Sequence, residues 1–171
     1  MGALEPGRIF QTAFVVEDLD TAIESFSRDL NIGGWLQVGG KRPWPAVYRG
    51  NEVGLNVRVA LGFSGDMMFE LIQQTDEAPS VYREIGGFGL HHFAIAEAGL
   101  PATLARYAAE GLEPILTLDG AQGQAAYLDV RPRLPAMLEL VQITPSFEAF
   151  IGMIRDLSRP CDKDGPFVQR L

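Results

Sequence analysis

Two glutamates sit where a carboxylate is costly. Glu70 interrupts the apolar run Met67-Met68-Phe69-Glu70-Leu71-Ile72, and Glu139 interrupts Ala136-Met137-Leu138-Glu139-Leu140-Val141. Both runs have the short, apolar character of strands. A carboxylate on a half-buried strand loses hydration that only a partner group or a metal ion returns. Alternation puts Glu70 on the face of Met68 and Ile72, and Glu139 on the face of Met137 and Val141, as a pocket floor requires. Two other polar residues open short β-rich runs: Gln11 before Thr12-Ala13-Phe14-Val15-Val16, and His92 before Phe93-Ala94-Ile95-Ala96. Gln11 shares its face with Ala13 and Val15, and His92 with Ala94 and Ala96, so small neighbours leave room for a ligand. Alternation predicts that the adjacent His91 points to the opposite face. One imidazole nitrogen, one amide oxygen and two carboxylates form an N/O donor set. It suits a borderline or hard divalent cation with space for water, and such a cation is a Lewis acid.

Nothing local explains why these four residues should meet; an internal repeat does. Residues Gln11–Val16 align with His92–Glu97 at an offset of 81, and the offset continues through Leu19/Leu100, Ile23/Leu104 and Phe26/Tyr107. Met68–Gln73 align with Met137–Gln142 at an offset of 69, so the first half carries about twelve extra residues, assigned to 39–56. Each half reads as strand, helix, then three strands. In the first half these are 8–16, a helix from Leu19 to Leu30 capped by Asp18, then 34–38, 54–62 and 66–73, with a hairpin around 44–50. In the second they are 90–97, a helix with Pro101 in its first turn and Gly111 past its end, then 113–118, 124–130 and 136–143. The polar stretch 74–87 joins the halves. Phe147, Phe150, Ile151, Ile154 and Leu157 form the stripe of a terminal helix, to be packed on the other half or a second subunit. The tail from Ser158 to Leu171 is polar and gives no element.

The rest of the chain narrows the possibilities. With 171 residues, 47% of them hydrophobic and 21% charged, the protein buries a full core without disulfide staples. A net charge of −8 disfavours nucleic acid and anionic membranes as partners. The single cysteine, Cys161, excludes an internal disulfide and a zinc–thiolate cluster. The opening MGALEPGRIF has neither a basic nor an apolar targeting region, and no run approaches a membrane span, so the expected location is cytoplasmic. Gly86-Gly87-Phe88-Gly89 precedes a strand and lacks the following helix of a phosphate loop. Lys41, Arg42, Arg49 and Arg58 gather positive charge in the extra segment of an otherwise acidic chain, a candidate clamp for an anionic substrate. Trp44 and Tyr48 are candidate walls beside it.

The sequence resembles the vicinal oxygen chelate superfamily, which includes glyoxalase I, methylmalonyl-CoA epimerase, bleomycin resistance proteins and extradiol dioxygenases. The resemblance is carried by Gln11–Ala22, Phe69-Glu70-Leu71-Ile72-Gln73, Gly89-Leu90-His91-His92-Phe93-Ala94-Ile95 and Leu138-Glu139-Leu140-Val141. It implies an α+β fold of two tandem βαβββ modules, 8–75 and 88–145, curled into a cup, followed by a C-terminal helix and tail over 146–171. It implies Gln11, Glu70, His92 and Glu139 as ligands of a divalent ion such as zinc, nickel, cobalt, manganese or magnesium. Glu139 and Glu70 become the acid and base of a proton transfer next to a carbonyl, in a glyoxalase-like lyase or an epimerase-like isomerase. Arg49, Arg58, Trp44 and Tyr48 are the expected substrate contacts, for a small molecule that is anionic or a thioester. A homodimer is expected by analogy. The alternatives are a non-catalytic sequestering protein of the bleomycin-resistance type and an iron-dependent dioxygenase. Gln11 counts against the latter, because it stands where those enzymes place a histidine.

Overall fold

The computed structural model describes residues 4–171, so the first three residues of the opening segment read for targeting lie outside it. The chain runs β1 (Ile9–Val15), α1 (Leu19–Leu30), β2 (Gly34–Gly39), β3 (Trp44–Tyr48), β4 (Asn51–Leu55), β5 (Val57–Ser64) and β6 (Met67–Gln74). A single 3-10 turn, Arg83–Ile85, interrupts the join. Then come β7 (Gly89–Glu97), α2 (Leu100–Ala109), β8 (Pro114–Gly120), β9 (Gly123–Leu128), β10 (Met137–Gln142), α3 (Pro145–Asp156) and β11 (Phe167–Arg170). All eleven strands form one curled mixed sheet in the order β11-β2-β5-β6-β1-β7-β10-β9-β8-β3-β4.

The duplication is visible in the pairing. β1 lies parallel to β6, β7 lies parallel to β10, and β1 meets β7 antiparallel at the centre. Apolar residues alternate between two faces. Phe14, Leu71, Ala60 and Trp35 pack outward against Leu19 and Ile23 of α1, while Leu138, Leu140 and Leu128 pack outward against Leu100 of α2. The inner face collects Ala13, Val59, Leu61, Met68, Ile72, Ala94, Met137 and Val141. Asp18 caps α1, accepting from the Thr21 amide at 2.8 Å, as its position predicts.

Three features depart from the expectation or extend it. The strand expected at 54–62 begins at Val57, because Asn56 leaves the ladder: its side chain donates to Asp76 and its carbonyl accepts from the Thr75 amide. The extra segment is the hairpin β3–β4. It does not stay with its own half but pairs antiparallel with β8, Ala46 opposite Leu118 and Tyr48 opposite Leu116. The tail supplies β11, which pairs parallel with β2. Polar composition hid that strand, since backbone groups hold it: the Phe167 amide donates to Gly33 O at 2.9 Å and the Leu171 amide to Gln37 O at 3.0 Å. Glycine is obligatory where the end of α3 passes β2, because a Cβ on Gly34 would stand 1.8 Å from Leu157 O.

The terminal helix α3 packs on the first half. Phe147 meets Phe10 edge-on at 5.7 Å, and Arg155 lies over Phe63 at 4.1 Å. Among the described residues no helix is long and apolar enough to cross a membrane.

Candidate metal centre

The register explains how four residues 128 positions apart in sequence, from Gln11 to Glu139, come together. Ala13 lies directly opposite Glu70, and Ala94 directly opposite Glu139. In each half the residue two places after the polar strand-opener is thus an alanine. Its small side chain lets the neighbouring carboxylate lean across the inner face. Ala13 also lies opposite His92 across the central β1–β7 pair, which brings the two halves into contact.

The result is a compact cluster. His92 Nε2 is 3.3 Å from Glu70 Oε2 and 3.2 Å from Glu139 Oε2. Gln11 Nε2 donates to Glu70 Oε2 at 2.5 Å and lies 3.3 Å from His92 Nε2. One donor atom each from Glu70, His92 and Glu139 can be chosen so that all lie within 4.8 Å of one another. Half a turn of the Gln11 amide about its last bond would present Oε1 to the same point.

Electrostatics mark the cluster as incomplete. Among the described residues, neither carboxylate pairs with a lysine or arginine; His92 is the cation they share. Burial pushes the Glu70 carboxyl up, against the pull of His92. Burial also acts against the charged His92 imidazolium, but Glu139 and Glu70 outweigh it and hold the group up at about 9. Two carboxyls converge on one imidazole, and a divalent cation placed among them would offset the cost of burying their charge. The N/O donors match such an ion, so the residues fit the metal that the sequence suggests.

His91 does not follow the alternation. Ala13 pairs with His92 but Phe14 pairs with Leu90, so His91 is the extra residue of a β-bulge and turns its ring to the same side as His92. Both rings are fully buried. They meet edge-on at 5.1 Å, with the two Nδ1 atoms 2.8 Å apart, and His91 Nε2 lies 3.1 Å from Val81 O. Burial and the nearby His92 charge push His91 down to about 3, so it stays neutral. A second bulge sits at the repeat-equivalent place, where Phe10 is passed over between Ile9 and Gln11. The signal for His91 was therefore its alignment with Phe10, which strand alternation overruled.

Sequence reasoning also missed Tyr127, which lies opposite Glu139 on β9 and edge-on to His92 at 5.0 Å. Its phenol is pushed well up by burial and the nearby acids, as is that of Tyr82. Both remain neutral hydroxyls.

Above the cluster opens a cavity of 450 Å³. Gln11, Glu70 and Glu139 form its floor, with Trp44, Leu61, Phe147 and Phe150 among its apolar walls. Trp44 is thus the expected substrate contact found in the lining. The structure does not bring the other three there. Arg58 alternates to the outer face of β5, where it binds Asp20 at 2.9 Å and Gln73 at 3.0 Å. Tyr48 and Arg49 turn to Glu84, at 2.6 and 2.8 Å. Lys41 and Arg42 sit exposed in the β2–β3 loop, between the lining residues Gly39 and Trp44.

A family profile described as Glyoxalase/Bleomycin resistance protein/Dioxygenase superfamily matches residues 10–127. No curated protein matches the chain. Several solved structures share the fold. Methylmalonyl-CoA epimerase from Mycobacterium tuberculosis is 18% identical with a TM-score of 0.60, over 87% of this chain and 96% of that one. A Streptomyces coelicolor methylmalonyl-CoA epimerase variant in complex with 2-nitronate-propionyl-CoA is 20% identical with a TM-score of 0.58, over 81% and 98%. A hypothetical protein from Bacillus halodurans is 18% identical with a TM-score of 0.58, over 80% and 94%.

Proposed function

The chain belongs to the glyoxalase/bleomycin resistance protein/dioxygenase superfamily, and on that premise we propose that it is a divalent-metal-dependent enzyme that moves a proton next to a carbonyl. The reaction is an isomerisation of the epimerase kind, or the related glyoxalase-type lyase step. The single observation that supports this is the convergence of Glu70, His92 and Glu139, with Gln11 beside them, on one point at the floor of an apolar cavity.

An ion bound there supplies Lewis acidity that eases the negative charge developing on a substrate oxygen when the neighbouring carbon loses its proton. The chain's own groups do the rest. Glu139 Oε2 takes the proton as general base and keeps it, while Glu70 delivers a second proton, drawn from solvent, to the carbon's other face. The two acids come from β6 and β10, one in each half, so they can approach a carbon from different sides. Tyr127 and His91 hold His92 in place. Trp44, Phe147 and Phe150 exclude water from the substrate's apolar portion.

For the substrate, the epimerase neighbours suggest a 2-branched acyl thioester. Lys41 and Arg42 support this: both are exposed beside the cavity, and no ion pair engages them among the described residues. They can meet the phosphates of a nucleotide tail.

Elemental analysis of the purified protein tests the metal, and deuterium uptake from heavy water into methylmalonyl-CoA and into glutathione hemithioacetals tests the chemistry. One divalent ion per chain and exchange at the carbon beside the carbonyl are expected. Glu139→Gln should keep the metal-free fold and lower kcat by about 10²–10⁴-fold. Full activity in Glu139→Gln removes the base assignment. A protein that takes up no divalent ion and exchanges no proton is instead a sequestering protein, which the aromatic walls would equally suit.

A further inference from the structure

The paired histidines on β7 form a directional hydrogen-bond chain. Val81 O is a carbonyl and can only accept, so His91 Nε2, 3.1 Å away, carries a proton. The 2.8 Å contact between His91 Nδ1 and His92 Nδ1 needs one donor and one acceptor. If His91 Nδ1 donated, His91 would be a cation, and a neutral His92 would keep its proton on Nε2. That atom faces Glu70 and Glu139 at 3.3 and 3.2 Å, and a protonated nitrogen has no lone pair for a metal. With a metal bound, only the other arrangement remains. His91 accepts at Nδ1, and His92 donates from Nδ1.

We propose that His91 is a positioning residue: through its own ring it relays the Val81 carbonyl to His92, locking His92 in the Nδ1–H form with Nε2 free to bind metal, an inference that rests on the metal-site reading above. A ligating imidazole is ordinarily held by a carbonyl or carboxylate on its second nitrogen, and that partner sets its tautomer and ring angle. Here the carbonyl lies one ring further away. The bulge makes this possible, because without it His91 would point to the outer face. The relay reaches into the segment that joins the two halves, since Val81 lies between β6 and β7, two residues before the 3-10 turn that begins at Arg83. The repeat supports a special role. The equivalent residue in the first half, Phe10, has the same bulged backbone but offers no hydrogen bond, and its neighbour Gln11 has no tautomer to fix.

His91→Phe copies Phe10 and keeps a ring in the bulge while deleting both hydrogen bonds. His91→Asn restores an acceptor close to Nδ1. Zinc affinity is measured by chelator competition, and nitrogen NMR of the histidine rings is recorded with and without zinc. His91→Phe should bind zinc about 10–100-fold more weakly at unchanged circular dichroism, and His91→Asn should stay within about threefold of wild type. The zinc-loaded wild type should show a proton on His92 Nδ1 and none on His91 Nδ1. Wild-type zinc affinity in His91→Phe overturns the proposal, as does a proton on His91 Nδ1. If His91→Phe fails to fold, the wild-type ring spectrum and His91→Asn decide. If the wild type binds no zinc, the metal reading fails separately. The metal-free spectrum then judges the relay: an unprotonated His91 Nδ1 beside a protonated His92 Nδ1 supports it, and a protonated His91 Nδ1 ends it.

Discussion

His92 carries the strongest chemical signature in the molecule, an imidazole whose proton is held by two acids. Its group sits at about 9, and an ion at Nε2 must displace that proton. Below about 9 the metal competes with a proton, so apparent affinity should rise with pH by up to about tenfold per unit, then level off above it. Titration of the metal-free protein with zinc or cobalt between pH 6 and 10 checks this, and a flat profile would mean that His92 is not a ligand. Glu70 and Glu139 were legible from sequence because a carboxylate inside Met-Phe-Glu-Leu or Met-Leu-Glu-Leu has no cheap bland explanation. Gln11 was legible only through its alignment with His92, since an amide on a strand costs little. His91 was misread, because a bulge adds one residue without leaving a mark in the hydrophobic pattern.

At the level of elements, local signals sufficed wherever they were strong. Asp18 marked the start of α1, and Gly111, with φ +81°, stands just past α2. They failed where long-range pairing decides. The β3–β4 hairpin could be seen as a hairpin, but no local rule says that it joins β8. Glu84 helps hold it there. Tyr48 and Arg49 from the hairpin reach it, and so does Arg131 from the loop after β9, at 3.1 Å. Glu84 is mostly buried, so removing its carboxylate leaves a phenol and a guanidinium short of an acceptor. Glu84→Ala should cost about 1–3 kcal/mol, which is about 2–4 °C of Tm per kcal/mol for a chain of this size. Differential scanning calorimetry reads this directly. An unchanged Tm would show that water replaces the carboxylate without loss.

For the whole molecule, the duplication predicts two similar halves, yet the halves share one inner core and a continuous sheet. β1 and β7 join them at the centre, and the hairpin ties them again at the rim. Urea unfolding followed by tryptophan fluorescence and by far-ultraviolet dichroism should therefore give coincident curves. Separate midpoints would mean that each half melts alone. The crossing hairpin also makes the second half depend on the first. Residues 88–145 expressed alone would present the β8 backbone as a raw border, free to recruit strands from other copies. Neither half is therefore closed by itself: the hairpin of the first serves the second as its protective selvedge.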